Sequence, residues 1–341
     1  ADLQLRTRDI ENTEQIYKKI LDIDKNYLPA IINLAIFYEG TGRINEAIKY
    51  YEIARVLEPK NLNFYYSLVR ISPNYLNDKK IRFVKDLIKK KKIPIQDSFL
   101  AKLILSENYE KKKNYINEIK FLKMSQEEFL KHNVGKRSRE YWLDIIPRYH
   151  NRFTYKKNSK SILKNINPIF IVGLPRSGST ITEMILSTSN TSKKVLGESG
   201  LLNFAFINNY GKKIFDNPKN SKIEIDINLL EEKILLGLNN FNISNLNKLI
   251  FIDKSLENFF YVEWIMKIFP KARFVVTERN IKDNIIGIYK KVLLDIPWAH
   301  SIPDIIEYIN HYKKVISFYK RKYKDNFFFI KLVDMQNINK T

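Results

Sequence analysis

The chain is 341 residues long, room for two domains, and its 44% hydrophobic and 28% charged content is that of a globular protein rather than a disordered one. Cysteine is absent, which excludes disulfides, zinc–thiolate sites and cysteine nucleophiles; His132, His150, His300 and His311 are scattered without metal-ligand spacing and read as residues of polar faces. The net charge of +22, from 59 basic and 37 acidic residues, would suit nucleic acid, but Lys, Ile and Asn fill the chain from end to end and no arginine stripe alternates with aromatics. The expected partner of that charge is a small polyanion, not nucleic acid.

No basic start leads into an apolar core at the N-terminus, and no apolar run is long enough to cross a bilayer. A soluble, cytoplasmic protein with no membrane partner is expected. The chain opens on Ala1 rather than Met, so its N-terminus is expected to be incomplete.

Residues 1–150 read as a helical repeat domain. Ile31, Leu34, Ala35 and Tyr38 form one helix face, and Ala47, Tyr51 and Ala54 form the next, with Pro59 following. The small Ala35 and Ala47 let two helices approach, and Gly40 and Gly42 mark the turn between them. Stepping back 34 residues lands on Thr13 and Tyr17; stepping forward lands on Tyr65, Leu68 and Val69, a copy broken by Pro73 and Asn74. A further helix pair is expected from Ser98 to about Lys131. These positions resemble the tetratricopeptide family, whose stacks usually bind or assemble partners. Residues 151–167, with Lys156, Lys157, Lys160 and Lys164, read as a solvated basic linker.

Residues 168–341 alternate short apolar runs with helical stretches, which implies an α/β domain with a mainly parallel sheet. Strands are expected at 168–173, 249–252, 273–277 and 326–331, and helices at 178–188, 257–268, 282–293 and 303–323. The whole is thus helical repeats followed by a P-loop-like α/β domain.

The first of these strands, Ile169-Phe170-Ile171-Val172, leads into a tight turn from Gly173 to Gly178, and Ser179 and Thr180 start a helix. Such a turn aims backbone N–H groups at an anion on a helix N-terminus, and Arg176 adds a forked cation. The spacing is that of a Walker A loop, but Ser179 stands where the lysine for β- and γ-phosphates belongs. That substitution argues against a kinase or nucleoside triphosphatase.

The segment FIVGLPRSGST followed by ITEMIL resembles the phosphosulfate loop of sulfotransferases that use 3′-phosphoadenosine 5′-phosphosulfate. With helical repeats ahead of it, the chain resembles the bacterial tetratricopeptide–sulfotransferase proteins, relatives of tyrosylprotein sulfotransferases. The resemblance continues through Gly197-Glu198, through Ile252-Asp253-Lys254, and through Phe269-Pro270 to Arg279 in KARFVVTER. A Tyr-rich helix with Tyr308, Tyr312 and Tyr319 follows.

The resemblance implies roles for the matched positions. Arg176, Ser177, Gly178, Ser179 and Thr180 would hold the 5′-phosphosulfate, and Arg279 the 3′-phosphate. Glu198 would be the general base, and Lys254, with Arg176, would offset charge on the leaving phosphate. No metal is implied. The acceptor implied is a protein tyrosine on a polypeptide presented by the repeats, with a sugar or small-molecule hydroxyl as the alternative.

Each role has a plainer rival: Glu198 as a helix-start acid, Lys254 in a structural ion pair, Arg279 paired with Glu278 or Asp283. Relatives usually carry a Ser two turns after the arginine; here Gly287 stands there, with Asn284 as a possible substitute, and Asn280 follows the arginine where relatives carry Asp. The chain ends at Thr341, where relatives continue, so the domain is expected to be truncated. Two other classes stay open: a kinase or triphosphatase, supported by LIFID at 249–253 as a Walker B-like strand, and a repeat adaptor with an inactive catalytic domain.

Overall fold

A computed structural model describes residues 10–72, 74–90, 93–156, 161, 163–188, 193–216, 222–241, 243 and 249–337. The chain divides into two compact units, one ending at Val134 and the other starting at Gly135.

The first unit is helical. Its elements are α1 (Ile10–Ile23), α2 (Leu28–Gly40), α3 (Ile44–Leu57), α4 (Leu62–Ile71), α5 (Asp78–Lys89), α6 (Ser98–Lys111) and α7 (Tyr115–Asn133). Ala35 and Ala47 are fully buried where α2 packs on α3, because neither holds the helices apart. Gly42 makes the intervening turn at φ 78°, a backbone conformation that a β-carbon disfavours. Tyr38 and Tyr51 fill the flanks, and their hydroxyls donate to Glu14 and Glu39, each at 2.9 Å. The pair expected from Ser98 is α6–α7, tied by buried hydroxyls: Ser106 Oγ donates to the Glu118 carbonyl and Ser125 Oγ to that of Phe99, both at 2.9 Å. Pro73 lies outside the described residues, but α4 does end at Ile71 beside it.

The boundary differs from the expected one at 150. Helices α8 (Lys136–Glu140) and α9 (Ile146–Tyr149), joined by a π-type turn over Tyr141–Ile145, belong to the second unit. Tyr141, Leu143, Ile145, Ile146 and Tyr149 are buried in its core, and apolar burial outweighs sequence adjacency to the repeats. The stretch read as a solvated linker is also structured where it is described. Phe153–Tyr155 forms β1, Leu163 and Ile166 are buried, and Lys156 pairs with Asp226 at 3.0 Å. Lys157 and Lys160 lie outside the described residues. His300 is also not on a polar face: it is 1% exposed, and burial lowers its pKa to about 4.

In the second unit, β2 (Ile169–Gly173) leads to α10 (Ser179–Thr188), β3 (Lys194–Gly197), α11 (Leu201–Asp216), β4 (Ile223–Ile225) and α12 (Ile227–Asn240). Then come β5 (Phe251–Asp253), a 3-10 turn over Leu256–Tyr261, α13 (Val262–Ile268), β6 (Arg273–Glu278), α14 (Ile281–Lys290), α15 (Ile302–Lys322), β7 (Phe327–Lys331) and α16 (Leu332–Asn337). The sheet runs β3-β5-β2-β6-β7 and is parallel throughout; β1 and β4 form a separate parallel pair. Strand β2 is buried at every position, as its unbroken apolar run requires of a central parallel strand. Aromatic side chains dominate the core around it: Phe170 meets Phe251, Phe269 and Phe274, and Phe206 stacks on Trp264. Tyr308, Tyr312 and Tyr319 face inward from α15. Among the described residues no helix is long and apolar enough to cross a membrane.

Candidate active site

Ligand sites of open parallel sheets lie beyond the carboxyl ends of the strands. The loop leaves β2 at Gly173, Glu198 follows β3, Lys254 follows β5 and Arg279 follows β6. These are four adjacent strands, so residues far apart in sequence meet along one sheet edge.

The loop is built by close approach and by strain. Gly173 faces Thr277 of β6 in register, and a β-carbon at 173 would stand 2.5 Å from Thr277 Oγ1. The Ser177 hydroxyl shares a hydrogen bond with Thr277 Oγ1 at 2.6 Å and also lies 2.6 Å from the Leu174 carbonyl, so this loop hydroxyl braces the turn. Ser177 is 1% exposed and its hydroxyl is committed inward, so any part it takes in holding an anion falls to its backbone N–H. Arg176 is left-handed at φ 66°, and Gly178 follows at φ 99°. A left-handed non-glycine residue costs about 1–2 kcal/mol, and here the cost turns the Arg176 side chain out to solvent.

Helix α10 begins at Ser179, and its first intrahelical bond runs from the Thr182 N–H to the Gly178 carbonyl. The N–H groups of Gly178, Ser179, Thr180 and Ile181 therefore have no intrahelical carbonyl to meet. They sit at the positive end of the helix dipole, just after the exposed Arg176 in the chain.

Lys254 is buried, and its Nζ lies 2.8 Å from Glu198 Oε1 and 3.8 Å from Glu183 Oε2. The ion-pair reading of Lys254 and its reading as a site residue therefore coincide, because its nearest partner is the other site residue. Glu183, one turn into α10, had no signal in the sequence beyond its i+4 spacing from Ser179. The Glu198 side chain is 70% exposed, free to meet an acceptor. A cavity of about 250 Å3 opens beside the pair, lined also by Gly173, Pro175, Glu257 and Trp298.

Asp253 organises this pair. It is fully buried at the end of β5, and its Oδ1 accepts from the Ser255 N–H at 2.8 Å and from Asn258 Nδ2 at 3.0 Å. Its Oδ2 accepts from the Ser199 hydroxyl. One carboxylate thus ties the turn carrying Glu198 to the turn carrying Lys254. Burial raises its pKa, and those donors oppose the rise. Both oxygens are committed to protein donors, so Asp253 does not face the loop as a Walker B acid faces its metal. Among the described residues no group of His, Cys, Asp or Glu side chains is arranged to hold a metal ion.

The family model for sulfotransferases matches residues 168–336, a span that covers the loop and all four strand ends. Residues 168–336 are a sulfotransferase-family domain. A protein described as uncharacterized from Aquifex aeolicus is similar at 24% identity over 265 residues, which is 70% of this chain and 33% of that protein. The chain therefore spans about a third of the length of this relative.

In the sulfotransferase-family domain Arg279 does not pair with Glu278 or Asp283. Its Nη1 donates to the Arg176 carbonyl at 3.1 Å, which links the loop to β6. Asn284 is spent in the same way: it is buried, and its Nδ2 donates to the Pro175 carbonyl at 2.6 Å. One amide hydrogen thus braces the loop, and the side chain also lines the second cavity described next. A β-carbon at Gly287 would lie 3.4 Å from Arg176 Cβ and 3.8 Å from Arg279 Nη1, which places position 287 against both arginines. A second cavity, of about 410 Å3, is lined by Leu174, Arg279, Asn284, Tyr312, Lys313 and Lys331.

Glu257 lies on the wall of the first cavity. Burial raises its pKa to about 7, and the charges of Asp253 and Glu198 add to the rise. In the folded protein it therefore keeps its proton over a range, from about 4.5 upward, where the unfolded chain has lost it. Stability from this group is fully present below about 4.5 and is lost as pH rises to about 7. Thermal unfolding should show the native protein losing at most about 3 kcal/mol across that window relative to Glu257→Gln, whose profile should be flatter.

Proposed function

We propose that the sulfotransferase-family domain transfers a sulfuryl group from 3′-phosphoadenosine 5′-phosphosulfate to an acceptor hydroxyl. The observation that carries this reading is the Lys254–Glu198 pair, 2.8 Å apart at the mouth of a cavity that the phosphate turn also lines. The residues present fit such a donor: open N–H groups on α10, an exposed Arg176, and a second cavity whose charged lining is Arg279, Lys313 and Lys331 against Glu278.

The bound donor supplies the sulfuryl group: its bridging S–O bond breaks as the acceptor oxygen bonds to sulfur, the acceptor proton passes to Glu198, and adenosine 3′,5′-bisphosphate leaves. Gly178, Ser179, Thr180 and Arg176 would hold the phosphosulfate through backbone N–H groups and the guanidinium. Lys254 would turn from Glu198 toward the charge building on the leaving oxygen. That movement frees the Glu198 carboxylate to take the proton. Arg279, next to the loop and position 287, would hold the 3′-phosphate.

Calorimetry of the whole chain should show adenosine 3′,5′-bisphosphate binding and ATP with magnesium failing to compete. Binding of ATP–magnesium alone would move the site to the triphosphatase class, against which the buried Asp253 already weighs. Nucleotide binding with no transfer to any acceptor would support the inactive-adaptor reading. Gly287→Ser should raise bisphosphate affinity about ten-fold while leaving adenosine 5′-phosphate binding unchanged, since a hydrogen bond to a charged group contributes roughly 1.5–3 kcal/mol. The added β-carbon makes ordinary contacts of 3.4–3.8 Å.

The first unit we read as tetratricopeptide-like, on the Ala35–Ala47 approach in α2–α3 and the α6–α7 pair. Its resemblance to repeats attached to tyrosylprotein sulfotransferase relatives would make it a docking unit for a polypeptide. The acceptor hydroxyl itself has to suit the lining of the cavity.

A further inference from the structure

The cavity beside Lys254 and Glu198 has a lining that the donor does not need. Two indole rings, Trp142 and Trp298, line it together with Asn203, Glu257 and Asp295. Trp298 stacks on Tyr308 with centroids 3.7 Å apart and planes 11° from parallel. Trp142 packs edge-on to Tyr141 at 4.9 Å and lies against Phe260. Both rings are thus held in place by core aromatics before any ligand arrives.

The charge of the cavity opposes that of the chain. The molecule carries 59 basic and 37 acidic residues. Yet the charged lining of this cavity is Glu198, Glu257, Asp295 and Lys254, and Lys254 is already matched by Glu198 and Glu183. Compositional bias would have put lysines here, so the acidic lining belongs to the site.

A phenol does not suit this lining. Its one hydroxyl would go to Glu198, and its ring would cover the half-buried Glu257 while offering it no hydrogen-bond partner. An unmet buried acceptor costs about 1–3 kcal/mol, and more when charged. An anionic acceptor would add repulsion. A pyranose ring presents hydroxyls around its edge, which can donate to several carboxylates at once, and apolar C–H faces that pack on indoles. Asn203 completes the match: its Oδ1 accepts from Tyr261, so its amide N–H groups remain to donate to a ring or hydroxyl oxygen.

Resting on the sulfuryl-transfer reading of this site, we propose that the acceptor is an uncharged sugar, held by Glu257, Asp295 and Asn203 between the Trp142 and Trp298 rings with one hydroxyl at Glu198. Near neutrality Glu257 can be protonated and so can either donate or accept, which suits a hydroxyl partner. The volume, about 250 Å3, is small for a binding pocket and takes one ring rather than a chain of them.

The test is saturation-transfer NMR and titration of the whole chain with methyl glucoside, the methyl glycoside of N-acetylglucosamine, methyl glucuronide and N-acetyltyrosine amide, each with and without adenosine 3′,5′-bisphosphate. The neutral glycosides should bind, the glucuronide about ten-fold more weakly or less, and the tyrosine amide least. Glu257→Gln, and independently Asp295→Asn on the exposed loop, should weaken the neutral glycosides several-fold without moving the bisphosphate Kd. Saturation by the tyrosine amide with none by the glycosides overturns the proposal, as does glycoside binding that both variants leave unchanged. Glycoside binding without any bisphosphate binding would instead overturn the donor reading and leave the sugar site standing.

Discussion

Glu198→Gln should abolish measurable transfer, lowering turnover about 10²–10⁴-fold, while the Kd for adenosine 3′,5′-bisphosphate stays as it was. The amide preserves the volume of the side chain and can still meet Lys254 Nζ, which lies 2.8 Å from the carboxylate in the native protein. It cannot take a proton. With 70% of the Glu198 side chain exposed, little of the fold depends on it, so the thermal midpoint should barely move. Single-turnover kinetics with preloaded donor separates the step from binding. Turnover equal to that of the native protein would remove Glu198 from the chemistry and leave it as a partner that holds Lys254.

Asp253→Ala should act the other way round, on the fold first and on the chemistry through it. It removes the acceptor for Ser199, for the Ser255 N–H and for Asn258 together, all in a fully buried place. Loss of such a network should cost roughly 3–5 kcal/mol, read as a fall in the urea midpoint. Asp253→Asn keeps the shape and should recover part of the stability. Because Ser199 and Ser255 flank Glu198 and Lys254, both variants should lower kcat more than they raise the KM for donor. A loss confined to stability, with kcat intact in the folded fraction, would mean that the two turns hold their places without Asp253.

Much of the second unit could be read from the sequence because its signals are local. Strands β2, β5, β6 and β7 are short apolar runs, and the loop between Gly173 and Ser179 has a spacing with one physical meaning. What escaped lies in relations between segments. Phe153–Tyr155 and Ile223–Ile225 are three residues each, too short for alternation to show, and they exist as strands because each completes the other. Residues 136–149 follow the repeats in sequence, but their apolar side chains fit an aromatic core that includes Phe215, Phe260 and Tyr261 from far along the chain. Asp253 looked like a metal-facing acid because the strand before it is apolar; only its three donors, from Ser199, Ser255 and Asn258, show it facing inward. Ser177 and Asn284 carried the same ambiguity, since a polar side chain beside a loop can brace the loop or bind what the loop binds. Trp142, Asn203, Glu257 and Trp298 had no motif at all, because a wall assembled from separate helices and turns leaves no spacing to read.

The parallel order β3-β5-β2-β6 makes the sheet edge a ruler. Neighbouring strands stand about 4.8 Å apart, so the tips carrying Glu198 and Arg279 are separated by roughly 14 Å, with Lys254 and the phosphate turn at the graduations between them. The hydrogen-bonded ladder sets that length, whatever lies in the connections. Lengthening the crossover after α10, α11 or α12 should therefore leave the marks in place, whereas a strand inserted into the edge would misplace them all. On the proposed reading, such a ruler would accept ligands by the distance between their charged ends, and a nucleotide of the wrong length would be rejected even when each of its groups, taken alone, would be welcome.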